Sequence, residues 1–160
     1  MGVMNLRLLL VPILALSLMG FAKKQPKVTV RFHTQANKED TEQFSMSIPL
    51  QNPPRQVFFQ KIPFLSENDV AAIYPFPASD GTMGCAFKFD GHGTLELDTQ
   101  SIMRRGSEVV GFINGRLVSD MLVDRRVSDG VLVVPNGLTP LEIAALQLRF
   151  HTMGDPKGKK

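Results

Sequence analysis

The chain has 160 residues, 43% hydrophobic and 21% charged, with a net charge of +3; these are the proportions of one ordinary globular domain, not of a disordered, fibrous or multi-spanning protein. Its single cysteine, Cys85, excludes an intrachain disulfide and any cysteine-rich metal framework. The basic residues form no stripe interleaved with aromatics, which excludes nucleic acid as a partner.

Met1 to Arg7 carries one basic side chain, and Leu8 to Phe21 is apolar except for Pro12, Ser17 and Gly20. Small residues at Gly20 and Ala22 suit a signal peptidase, so residues 1–22 are expected to be a secretory signal and the remainder to be exported, periplasmic or extracellular. The apolar run is shorter than the roughly 20 residues that span a bilayer, which makes an uncleaved anchor the lesser alternative. Lys23, Lys24 and Lys27 follow it, and Lys157, Lys159 and Lys160 close the chain. Such Lys-rich ends are expected to be solvated, with weak contact to an anionic membrane surface as the functional alternative.

Residues 23–65 are expected to form an N-terminal β segment. Val28, Val30 and Phe32 alternate with Thr29, Arg31 and His33, the period of a strand with one buried face, which makes His33 an outward residue. Phe44, Met46, Ile48 and Leu50 repeat the pattern after a polar loop from Gln35 to Glu42. Beyond Asn52-Pro53-Pro54, a third strand runs from Val57 to Ile62.

Residues 66–152 are expected to form an α+β domain. Ser66 and Asp69 read as the start of a short helix, capped by Ser66, that runs through Ile73 and is stopped by Pro75. Met83 to Asp90 reads as a strand, and Asp90-Gly91-His92-Gly93 as a turn. From Thr94 to Arg105 two periods compete: Leu95 and Leu97 alternate as in a strand, whereas Leu95, Thr99 and Ile102 fit one helix face. Glu108 to Ser119 is a hairpin about Asn114-Gly115, because both central positions of a type I′ turn need positive φ. Val131 to Val134, between Asp129-Gly130 and Pro135-Asn136-Gly137, is a short β-branched strand. Thr139, Pro140 and Glu142 then start a helix as a capping box with proline at its first position. Leu141, Ala144, Ala145 and Leu148 mark its expected buried face. Residues 153–160 are a basic tail.

In order and spacing, Thr82 to Leu146 resembles the head subdomain of the first extracytoplasmic domain of SecD, part of the SecDF accessory component of the bacterial Sec translocase. The likeness is carried by Gly93 and Gly106 at the ends of the ambiguous segment, the strand Val109 to Ile113, and Asn114-Gly115 with Val118-Ser119. It continues through Gly130 and Val131 to Val134, then Leu138-Thr139-Pro140, Glu142 and Ala144-Ala145. Upstream, Ile62-Pro63-Phe64-Leu65-Ser66 and Asp69-Val70 are similar to the segment that precedes this head. The resemblance favours helix for Thr94 to Arg105. It implies a ferredoxin-like mixed or antiparallel sheet with two helices on one face, plus extra N-terminal strands. It also implies a non-catalytic accessory or binding domain that contacts polypeptides or envelope proteins. The chain departs from the family at Ser119-Asp120-Met121, where Ser-Ala-Pro is usual, and it lacks the transmembrane bundle credited with proton-coupled work.

No catalytic, cofactor or metal set is expected. His33, His92 and His151 have no metal-ligand spacing. Ser119, Asp120 and Asp124 could be drawn with a distant histidine as a hydrolytic triad, but no nucleophile-elbow motif supports it. Cys85 reads as a small buried apolar residue. Arg104, Arg105, Arg125 and Arg126 remain as a candidate patch for an acidic partner. The alternatives to a binding domain are a structural or interaction protein that keeps only the fold, or a small extracytoplasmic hydrolase.

Overall fold

The structure, a computed structural model, describes residues 28–37, 39–51 and 53–154. The expected signal, Lys23, Lys24, Lys27 and the lysines at 157, 159 and 160 lie outside the described residues. In chain order the elements are β1 (Val30–Thr34), β2 (Ser45–Gln51), β3 (Pro54–Gln60), β4 (Leu65–Ser66), β5 (Val70–Pro77) and β6 (Met83–Phe89). Then come α1 (Gly91–Met103), β7 (Glu108–Ile113), β8 (Arg116–Leu122), β9 (Val131–Leu138), α2 (Pro140–Arg149) and β10 (His151–Thr152). The fold is α+β, as expected.

The strands form two four-stranded sheets, in the orders β4-β1-β7-β8 and β10-β5-β6-β9, and a separate β2-β3 hairpin. The second sheet is antiparallel except for β10, which runs parallel to β5. Its Cys85, Phe87 and Phe89 are buried with Leu97 of α1 and Ile143, Leu146 and Phe150 at α2, so both helices cover one face of this sheet. Val28, Val30 and Phe32 enter the same core from the first sheet. Phe32 stands edge-on to Phe87 and Phe89, at 5.8 Å and 6.1 Å between ring centres. Edge-to-face pairs of this kind add about 0.5–1.5 kcal/mol each beyond the area they bury.

The N-terminal strand is integral to this arrangement. β1 lies between β4 and β7, with Phe32 opposite Leu65 on one side and Gly111 on the other. Strands from the two segments read as distinct by sequence, 23–65 and 66–152, therefore share one sheet, β1 from the first and β7 and β8 from the second. The β2-β3 hairpin packs on the other face of that sheet through Ile48, Leu50, Val57 and Phe59 against Val110. On that face Arg31 stays exposed, as the alternation predicts, but the hairpin side covers the strand at His33, which is buried, 5% exposed, contrary to the single-face pattern. Its ring meets Phe112 edge-on, and its Nδ1 lies 2.8 Å from the Gln60 carbonyl.

Four further expectations are corrected. The short helix after Ser66 is instead a tight turn and a strand. The Asp69 carboxylate accepts from the Ser66 N–H and hydroxyl, at 2.8 Å and 2.9 Å, and β5 then pairs with β6 from Val70 to Pro77. Pro75 and Pro77 lie beyond the two-residue β10 on the open edge, where a missing N–H breaks no ladder. Asp90-Gly91-His92-Gly93 is not a free turn: Asp90 is the N-cap of α1, accepting from Gly93 N–H at 2.8 Å. β9 does not stop at Val134 but runs on to Leu138, through an irregularity opposite β6.

The helix faces also differ from those expected. Residues 94–103 are helical, yet α1 buries Gly93, Leu97 and Ser101, leaving Leu95 and Ile102 exposed. Gly93 decides this, because a Cβ there would come within 2.9 Å of Phe89 and 3.0 Å of Asp69. In α2 the capping box forms as read, with proline at the first turn. The face it turns inward is Ile143, Leu146 and Phe150, while Leu141 and Leu148 are 81% and 64% exposed.

The Asn114-Gly115 turn is as expected, with φ of 51° and 77°. Gly130 (φ 66°) enters β9 so close to α1 that a Cβ would lie 2.1 Å from the Thr94 hydroxyl. Leu146→Ala is expected to lower the unfolding free energy by about 2–5 kcal/mol, and Leu148→Ala by less than about 0.5 kcal/mol. Urea denaturation of the two variants checks the assignment of the helix face.

Candidate functional site: a cleft between two sheet edges

β8 ends the first sheet and β9 ends the second. They meet at one end, where Arg116 donates to the Gly137 carbonyl at 2.8 Å and to both Glu142 oxygens at 2.9 Å and 2.6 Å. At the other end, the connection through residues 123–130 holds them apart. The space left is a cleft of about 570 Å³, floored by Leu97, Val109 and Leu132 and walled by Met121 and Val133. Arg125 and Arg126 stand among its lining residues.

The candidate arginines divide in this setting. Arg126 forks onto Asp98 of α1, Nε to Oδ1 at 2.6 Å and Nη2 to Oδ2 at 2.7 Å. That bidentate pairing, more than the charge itself, lowers the Asp98 pKa and raises that of Arg126. Arg105 donates to the Asp124 carbonyl at 3.2 Å, which brings it to the start of the same loop. Arg104 turns away to Asn37 Oδ1, at 2.7 Å. Among the described residues, Arg125 is exposed and enters no ion pair.

The side chains capable of other chemistry are dispersed. Ser119 Oγ is buried and has no hydrogen-bond partner among the described residues. Burial pushes the Cys85 thiol up to about 12, more than a bond from the Tyr74 backbone offsets. A thiol held protonated is a poor nucleophile and a poor metal ligand.

One convergence escaped the sequence. Asp69, Asp90 and His92 bring ligand atoms within 4.8 Å of one another, with His92 Nδ1 at 3.1 Å from Asp69 Oδ1. Each acid already serves the backbone, Asp69 in the Ser66 turn and Asp90 as helix cap, and the site adjoins the positive end of the α1 dipole, which disfavours a cation. Burial raises the Asp69 pKa, but bonds from Ser66 and His92 outweigh it and hold the carboxyl below its usual range. Asp69 lies far from His92 in sequence, so no spacing signal announced the pair.

Comparison with known proteins supports the fold. No family model matches the sequence, and no curated protein does. Solved structures of SecDF do match. The first, of a membrane component SecDF that enhances protein export, superposes with a TM-score of 0.53 at 17% identity. The alignment covers 81% of this chain and 66% of that one. The second, SecDF in a super-membrane-facing form, gives the same TM-score and identity over 81% of this chain and 20% of that one. The chain has a SecD-like fold. It spans just under two-thirds of the first SecDF chain and about a fifth of the second. Among the described residues, no helix of this SecD-like domain is long and apolar enough to cross a membrane.

His33 supplies a pH test of the packing. Burial lowers its pKa from 6.5, and nearby Arg31 lowers it further, against the Gln60 hydrogen bond. The unfolded chain therefore binds the proton more readily than the folded one, so stability is complete above pH 6.5 and falls as the pH drops through 6.5 toward the folded pKa. Denaturation midpoints measured from pH 7.5 to pH 5 should show this decline, and His33→Asn should flatten it.

Proposed function

We propose that this chain is a non-catalytic, exported accessory domain that binds unfolded polypeptide, or an extended segment of an envelope protein, in the cleft between β8 and β9. The observation that carries this reading is the cleft itself. It is a trough with an aliphatic floor in a SecD-like fold, flanked by two sheet edges and with Arg125, Arg126, Asp124 and Asp129 among its lining residues. The SecDF structure it resembles belongs to a component that enhances protein export. Such a trough suits extended chain better than a small polar substrate, because its floor is aliphatic. A buried unpartnered serine, a protonated thiol and dispersed histidines support the absence of catalysis.

Of the candidate arginines, Arg125 and Arg126 stand at the cleft. Arg105 borders the connecting loop, and Arg104 is a structural contact to residues 35–37. Export follows from the apolar N-terminal run, and a periplasmic or extracellular setting agrees with the SecD-like fold. Weak attraction to an anionic membrane surface would come from the terminal lysines.

The test is fluorescence anisotropy with a labelled protein presented in two forms, native and permanently unfolded by reduction and carboxymethylation. Saturable binding of the unfolded form alone is expected, weakened by a bulky polar substitution in the floor such as Leu132→Gln. Equal affinity for both forms, or none for either, would remove the proposal.

A further inference from the structure

The hydrogen-bond ladder at the cleft wall identifies which main-chain groups are free. Phe89 N–H donates to the Gly130 carbonyl at 2.9 Å, and the register then pairs Phe87 with Leu132 and Cys85 with Val134. In an antiparallel ladder, directly bonded pairs alternate with unbonded ones. Leu132 and Val134 therefore turn their N–H and C=O toward β6, whereas Val131 and Val133 turn theirs outward. Val131 N–H is satisfied locally by Asp129 Oδ1 at 3.0 Å. Among the described residues Val133 has no such partner: β9 ends its sheet, and this residue lies 44% exposed on the cleft wall. The opposite wall repeats the arrangement. Val123 N–H donates to the Ser107 carbonyl at 2.9 Å, which leaves the backbone of Leu122, next along β8, facing outward.

We propose that the cleft takes an extended polypeptide segment as an added β-strand on the β9 edge, with the outward N–H and C=O of Val133 bonding its main chain and Arg125 pairing a carboxylate it carries. This rests on the polypeptide-binding reading above and specifies how that site holds its ligand. An unpaired strand edge recognises extended backbone whatever its sequence, and alternate side chains of the guest enter pockets. Here the guest's inward side chains meet Leu97, Val109 and Leu132. Its outward ones extend the row Tyr74, Ala86, Val133 that the register aligns across the open face of the second sheet. The charges around the opening are mixed. Arg126 is spent on Asp98, and Asp124 and Asp129 lie on the loop, so Arg125 is the group left to pair with an acidic residue. The preferred guest is accordingly an apolar, β-branched stretch carrying a glutamate or aspartate.

The probe is a fluorescein-labelled decapeptide of alternating valine and threonine with one glutamate, read by anisotropy against the full chain. Val133→Pro removes the outward N–H without breaking a bond to β6, a placement that edge strands tolerate. It is expected to weaken binding by roughly tenfold, while Val133→Thr binds as the parent does. Arg125→Glu should weaken it severalfold and reduce its salt dependence. A peptide N-methylated at alternate residues should lose binding to the unaltered protein, which decides the matter even if Val133→Pro fails to fold. Equal binding of the methylated and unmethylated peptides would overturn strand addition. If the unfolded protein still bound in that case, the polypeptide reading would stand without it. Failure of both probes would end both.

Discussion

The contact on which the architecture depends is that of Phe32 with Phe87 and Phe89. β1 hydrogen-bonds within the first sheet, and its Phe32 ring leans out of that sheet onto two phenylalanines of the second. Among the described residues no strand ladder joins the two sheets, and this aromatic cluster with the aliphatic residues around it forms the core between them, joined at one end by the Arg116 bonds to Gly137 and Glu142. Removing it would leave two small sheets, each with one greasy face exposed. β1 is thus a structural part of the SecD-like fold, contributing both the centre of one sheet and a link to the other.

Holding two sheets by their faces leaves their edges free to diverge, and the cleft follows from that. At the Gly137 end, Arg116 ties β8 to the start of α2 by a fork onto Glu142, which also completes the helix cap. At the far end no hydrogen bond among the described residues bridges the strands, and the loop from 123 to 130 is pinned to α1 instead, through Arg126 on Asp98 and Val127 N–H on Ser101. One end is closed by charge-assisted bonds, and the other is held open by a loop bonded elsewhere. Arg126, one of the arginines that look like a basic patch in the sequence, is therefore consumed in shaping the opening, with Arg125 left over to face outward.

Local chemistry was legible in the sequence wherever a few neighbouring residues decide the outcome. Asn114-Gly115 tolerates positive φ at both turn positions, and Thr139-Pro140 with Glu142 supplies cap, first-turn geometry and reciprocal bonds; both appear as read. Strand identity from Val30, Val131 and Phe87 followed from period and β-branching. The segment after Ser66 misled because Asp69 satisfies an N–H in a tight turn as readily as in a helix cap, and only pairing with β6 chooses between them.

By itself the sequence determined the Asn114-Gly115 turn, the capping box of α2, the α+β class and the order of elements resembling a SecD head, because those depend on contacts within a few residues. Tertiary structure decided which helix face goes inward, whether His33 sees water, which arginines are consumed by partners, and that two sheet edges part to form a cleft. These outcomes depend on residues far apart in the chain, such as Arg126 on Asp98 or Gly93 against Leu65. A side chain's own chemistry does not say what the fold will bring beside it.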